Sequence, residues 1–327
     1  MFMKSASALG TVAIGIVVAL GVFWALNKLA ELLPPKWESR IKPYLYILPA
    51  YLAITVYLLY PTLVTFINSF KDRASNEWVG FANYGDLFSD TGFRETLFNT
   101  LLWVVIVPAV TITIGLAVAV LADRLGPKSE NFVKTMIFLP MAISMVGAAT
   151  VWRFVYDSQP AGQPQTGLVN AVWTALGGDP VPWLQTSTFR LNTLLLMVIL
   201  LWAQVGYAMV LLSAAIKAVP VDTLEAARID GANERQVFFR VVLPQVKGTI
   251  IAVFVTVTIM VMKIFDIVYT NTNGQFKTNV LANEFINELT TNFNYGAASA
   301  IVVVLMIAVI PIMIYQVKNF REQEASS

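Results

Sequence analysis

The residues able to do chemistry are few: two pairs of polar groups inside apolar runs, and one charged stretch between them. Lys263 and Asp266 stand three apart, so a continuous helix would bring them within one turn of each other. A lone lysine at that depth costs about 2.5–3.5 kcal/mol on insertion scales, so it needs a counter-charge, an aqueous cavity or a route outward. Counted from Thr249 at 1.5 Å per residue, Lys263 lies roughly 21 Å along its helix. The pair can neutralise itself as a structural element or line a solute path. Gln204 and Tyr207 repeat the three-residue spacing on an earlier run, where they can bond a polar solute or a neighbouring helix.

The charged stretch is Pro220 to Pro244. Asp222 three residues before Glu225 predicts a capped helix, and Gly231 predicts its end. Asn233 and Gln236 repeat the capping pattern, so a second short helix is expected, with Val237, Phe238, Val241 and Val242 on one face until Pro244. A solvated connector needs none of this. Small residues at Ala226 and Ala227 and an apolar face at Phe238 suit a helix seated in a partner's groove.

The elements that position these groups are membrane helices. The chain is 57% hydrophobic and 13% charged, with mean hydropathy +0.67. The expected class is all-α and polytopic, with about seven spans near 11–33, 44–67, 98–121, 132–156, 191–216, 249–270 and 297–317. Pro108, Pro140 and Pro311 should interrupt spans three, four and seven. The first run lacks a small-x-small cleavage site, so it reads as a retained helix. Between spans, Trp78, Phe81, Tyr84, Leu87 and Phe88 suit an interfacial element. Leu168, Val169, Val172, Trp173 and Leu176 predict a short amphipathic helix ending at Gly177.

Basic residues set the expected orientation. Lys36, Arg40, Lys42, Arg124, Lys128, Lys217, Arg228, Arg235, Arg240, Lys247, Lys318 and Arg321 fall in one alternate set of connectors, which is assigned to the cytoplasm. The other set holds Lys4, Lys71, Arg73, Arg94, Arg190 and Lys277. This places the amino terminus outside and the carboxyl terminus and the charged stretch inside. With no cysteine and no histidine, thiol chemistry, Cys/His zinc sites and a histidine base are excluded. No Gly-Lys-Ser or Gly-Lys-Thr occurs, so no phosphate loop is present and any ATP would be hydrolysed by another chain. No catalytic centre, metal site or nucleic-acid partner is expected.

Glu225-Ala226-Ala227, three residues, Gly231, nine residues, Val241, one residue, then Leu243-Pro244 resembles the EAA loop of the permease subunits of bacterial ABC importers. Asp230 and Ala232 match the fuller pattern. Trp78 to Tyr84, Asn99 to Trp103, Lys263 to Asp266 and Asn294 to Ala298 are similar to the sugar class, of the maltose and α-glucoside kind. Where that class often carries Gly-Gly-Pro after the sixth span, this chain has Asn271-Thr-Asn-Gly-Gln275. The large outer domain of the maltose-type partner is also missing.

The resemblance implies an additional helix and basic connector at 1–43 and a permease domain at 44–320. Within that domain it implies a coupling loop at 217–248, followed by a cytoplasmic tail at 321–327. It implies coupling to the ATPase through Glu225, Ala226, Ala227, Asp230, Gly231, Ala232, Phe238, Leu243 and Pro244. Gln204, Tyr207, Lys263 and Asp266 would be solute-path candidates, the first two able to bond sugar hydroxyls. The implied partners are a dimer of ATP-binding subunits that holds the ATP and Mg, a second permease of different sequence, an external solute-binding protein and the lipid of the bacterial inner membrane. Alternatives are a permease for a glycerol-derived or polyol compound, or a secondary transporter. The latter should show repeated, interrupted helices with clustered carboxylates.

Overall fold

The computed structural model describes residues 2–32 and 34–326, with side-chain surroundings for 10–32, 34–35 and 37–318. Met1 and Leu33 of the expected 1–43 segment and Ser327 of the expected tail lie outside the described residues. The chain divides into two compact units, Met1–Ile67 and Asn68–Ser327.

In the first unit α1 (Phe2–Glu31) pairs with α2 (Pro35–Ile54). Phe23 stacks on Tyr46 with ring centroids 6.0 Å apart, and the Tyr46 hydroxyl donates to Asn27 Oδ1 at 2.9 Å. The basic stretch 35–43, expected as a connector, is helical. Pro35 opens α2, where a missing N–H costs nothing, and Lys42 pairs with Glu38 one turn back at 3.2 Å. A π turn at Thr55–Leu59 carries the helix on into α3 (Tyr60–Asn68) just ahead of Pro61. The most apolar windows of Gly10–Glu31 and Trp37–Asn68 contain no buried residue. Such faces are stable in lipid, where apolar surface carries no hydration penalty.

The second unit opens with a Lys71–Trp78 bridge and α4 (Ala82–Ser89), which holds the aromatic interfacial stretch. Its centre is α5 (Thr91–Ala122), α9 (Leu191–Lys217) and α13 (Lys247–Met262), packed around Trp103, Leu196, Leu200, Met209 and Val257. Close approach depends on small residues. A Cβ on Gly115 would stand 2.8 Å from that of Ala208, and one on Gly206 would stand 2.4 Å from the Ile137 carbonyl oxygen.

Two expected spans are broken. The fourth is α6 (Pro127–Phe138), a tight turn at Leu139–Ala142 containing Pro140, and α7 (Met145–Val155), bent by 102°. Ser144 starts α7 afresh by accepting the Gly147 N–H. Beyond it α8 (Leu168–Ala175) is the expected amphipathic helix, closed by Gly177 at φ +89°. The sixth span ends at Met262 and resumes only as the short α14 (Asp266–Asn271).

Pro108 and Pro311, expected to interrupt their spans, lie inside the continuous helices α5 and α16 (Tyr295–Ser326). Before α16 comes an unanticipated helix, α15 (Leu281–Thr290), whose Leu281 and Phe285 pack with Phe93 and Ile301. Between α9 and α13 lie α10 (Val221–Ile229), α11 (Glu234–Val237) and α12 (Leu243–Gln245). Among the described residues, five helices are long and apolar enough to cross a membrane, or up to seven if each bent pair is one span.

Candidate functional site

The charged stretch folds as two short helices about a glycine, as its sequence requires. Helix α10 ends in a left-handed turn at Gly231, φ +85°. The Ala232 N–H donates to the Ala227 carbonyl at 3.1 Å and the Gly231 N–H to the Arg228 carbonyl at 3.0 Å, the bond pair of a Schellman cap. Nothing lies within 4 Å of a Cβ built on Gly231, so the glycine is needed for its backbone angle and not for space. Arg228 then reaches across the turn to Glu234 at 2.9 Å.

The second cap forms as read. Asn233 Oδ1 accepts the Gln236 N–H at 3.0 Å, and Gln236 Oε1 accepts the Asn233 N–H at 2.9 Å. The first does not. Helix α10 is preceded by Pro220, has no side-chain cap, and takes Asp222 into its first turn. There the carboxylate faces the helix dipole without a capping bond. Pro244 does not end the second helix either. A π turn at Phe238–Val242 lets the Leu243 N–H reach the Phe238 carbonyl and absorbs the ring. The chain breaks instead at Val246, and the following α13 is bent by 66° from the helical run before it.

The nine expected coupling residues occupy three different surroundings. Glu225, Ala226, Asp230 and Gly231 form an exposed tip. Ala227 and Ala232 pack inward on a small core of Val219, Val237, Val242 and Val246, so their size serves the loop's own crossing of helices. Phe238, Leu243 and Pro244 face an apolar groove of about 900 Å³ whose other wall is α5 at Ile112, Leu116 and Val120. Beside the tip Ile229 is 85% exposed, and Phe239, which shares the groove with Phe238, is 63% exposed, although both are large and apolar. Sequence reading missed Ile229 because it stands alone among polar neighbours.

The loop is also fastened at its start, by residues not singled out beforehand. Lys217 lies 2.6 Å from Glu130 and 3.4 Å from Asp123, and Lys134 bonds both Glu130 and Ser213. Basic and acidic residues in two successive connectors were the available signal.

The solute-path candidates are not gathered in one place. Gln204 is 1% exposed within α9, with Oε1 lacking a partner, and Tyr207 is half-buried against the main core. Lys263 caps the end of α13 and is exposed, whereas Asp266 begins α14. Among the described residues no ion pair joins them. The one-turn spacing presumed an unbroken helix, and the backbone leaves helical geometry at Lys263 and Phe265.

Long apolar helices, two of the expected spans broken, around a charged and capped loop define a multi-pass membrane protein. Residues 111–320 match the family of binding-protein-dependent transport system inner membrane components, and the chain belongs to that family. It is 42% identical to the alpha-glucoside transport system permease protein AglF of Rhizobium meliloti over 96% of each chain. It is 43% identical to the osmoprotective compounds uptake permease protein GgtC of Synechocystis, over 86% of this chain and 99% of that one. Among solved structures, a chain of a bacterial ABC transporter that imports alginate superposes with a TM-score of 0.75 at 21% identity, covering 88% of this chain and 99% of the other. That likeness is one of fold.

Proposed function

We propose that this chain is a permease subunit of an ATP-driven importer for an oligosaccharide or α-glucoside, with loop 217–248 seated on a separate ATP-binding subunit. The observation that carries the reading is the tip around Gly231. Two helices are closed by a Schellman cap and a capping box, yet Ile229 and Phe239 are left bare beside them. Apolar side chains held that rigidly in a polar loop suit an apolar groove on a partner. In this reading ATP and Mg are held by the partner dimer, a second permease of different sequence completes the pore, and an external binding protein delivers the solute. In this reading the loop and the carboxyl terminus lie in the cytoplasm and the amino terminus outside, which the distribution of Lys and Arg among the connectors supports.

The connections give the loop its mechanical sense. Helix α9 enters it without a break, and α13 leaves it after the 66° bend. The valine core and the Lys217–Glu130 pair hold the loop to α9 and α6, so movement of α10 on its partner turns these helices together. The saccharide class is supported by the relationship to AglF. The relationship to GgtC, an osmoprotective compounds uptake permease, supports a second reading, in which the solute is a polar osmoprotective compound.

The test is Ile229→Asp and Glu225→Lys, measuring co-purification of the ATP-binding subunit and ATP-dependent uptake. Both should fall at least about tenfold, as expected for a charge placed in a buried contact. Unchanged assembly and uptake would remove the loop from the interface.

A further inference from the structure

A polar cavity of about 180 Å³ lies at the end of α9 and α13 remote from the coupling loop. The 27 residues of α9 separate the two ends by about 40 Å. Three stretches distant in sequence build it: the end of α7 with Asp157, the segment Pro182–Gln185 ahead of α9, and Asn271 to Phe276 after α14. The last is the stretch that stands where sugar-class permeases often have Gly-Gly-Pro.

Two lining residues carry buried hydrogen-bonding atoms without partners, Trp183 Nε1 and Asn271 Oδ1. One donates and the other accepts. The Asn271 amide nitrogen is engaged with the Ile267 carbonyl at 3.0 Å, so its oxygen is the atom left over. A buried polar atom without a partner costs about 1–3 kcal/mol. The backbone around it is strained too: Asn273, Phe276 and Lys277 all have positive φ, from +48° to +64°. The turn is held by Asn192, whose side-chain amide donates to the Phe276 carbonyl at 2.8 Å. Strain kept in place this way marks positions where the fold serves a site.

The lining selects a neutral, hydroxyl-rich ring. Arg153 and Asp157 balance one another in charge, so neither an anion nor a cation is favoured. Tyr156, Trp183 and Phe276 add aromatic surface for the C–H faces of a pyranose, while Gln185 can donate and accept at once. The volume is about six times the share of one liquid water, the scale of a single sugar unit and not of an oligosaccharide.

We infer that this pocket is a receiving subsite for one pyranose unit of a neutral saccharide, occupied before the solute enters the membrane path. The inference rests on the sugar-importer reading. The test uses the complete transporter with its partner subunits, reconstituted in lipid, and maltose as the probe. Radiolabelled maltose is titrated without the binding protein and the bound fraction is counted, and ATP-dependent maltose uptake is measured separately.

The wild type should give a saturable change in bound maltose, and Trp183→Phe, which keeps an aromatic ring but removes the indole N–H, should abolish most of it. Asn271→Ala and the exposed Gln185→Ala should each weaken maltose about tenfold, the loss expected for one hydrogen bond in a closed site. A transporter that imports maltose yet titrates identically in all three variants, or shows no saturable change, overturns the pocket alone. A wild type that neither binds nor imports any saccharide overturns the sugar reading and the pocket with it.

Discussion

Lys217 Nζ lies 2.6 Å from the Glu130 carboxylate, joining the last residue of α9 to the first turn of α6. Glu130 holds Lys134 as well, so one buried acid serves two ammonium groups. Glu130→Gln leaves Lys134 without its counter-charge and Lys217 with Asp123 alone, at 3.4 Å. The expected result is a transition temperature lower by about 2–4 °C for each kcal/mol lost, and reduced uptake with the ATP-binding subunit still attached. Thermal unfolding of the purified assembly and transport in vesicles measure the two effects. An unchanged transition would show that the tie contributes nothing.

Gly231 separates a conformational requirement from a spatial one. Because its Cβ direction is open and its φ is +85°, strain alone should decide what replaces it. Gly231→Val should destabilise the loop by about 1–2 kcal/mol, whereas Gly231→Asn should be milder because asparagine tolerates left-handed geometry. Hydrogen exchange of the 221–237 amides reads this in the permease. Equal protection in both variants would count against a strain-limited turn.

Gly206 makes the opposite prediction. Its missing Cβ would meet the Ile137 carbonyl at 2.4 Å and Phe138 Cα at 2.7 Å, so even alanine forces α6 and α9 apart. Overpacking of this kind costs about 1–3 kcal/mol. Gly206→Ala should reduce the yield of folded protein, while Gly85→Ala, where nothing lies within 4 Å, should not. Equal yields would mean that the crossing relaxes freely.

Acid should loosen the segment after α7 in a defined range. The hydroxyl of Thr166, at 2.6 Å, and the amide of Gln159, at 3.0 Å, hold the Asp157 carboxyl below its ordinary value of 3.8. A depressed folded value means stability that is complete above the ordinary value and lost as the pH falls through the depressed one. Tryptophan fluorescence between pH 7 and pH 2 should therefore stay flat until the pH drops below 3.8 and then change. Asp157→Asn should remove the transition, and an unaltered transition in that variant would assign it to another group.

The proposed solute path is open to direct trial. Gln204→Ala and Asp266→Ala should each lower uptake while the ATP-binding subunit remains bound, because neither residue belongs to the loop. Normal uptake kinetics in both would take them off the path. Gln204 is the sharper case, since its buried oxygen lacks a partner within the chain.

Composition and local pattern were enough to establish a helical membrane protein, the capping of α11 and the turn at Gly231. These depend on apolar run length, on a side chain three residues from its own backbone, and on a φ that glycine reaches without penalty. The spacing of Glu225, Gly231 and Leu243-Pro244 was equally legible as a likeness to a known loop.

Tertiary structure decided which way each residue faces. Ala227 and Ala232 turned inward because the valines to cover them come from Val219 and Val246, at opposite ends of the stretch. Lys263 and Asp266 separated because the backbone leaves helical geometry between them, which a three-residue spacing cannot register. The pocket of Asp157, Trp183 and Asn271 depends on three segments meeting, and their nearness exists only once α7, α9 and α14 have packed.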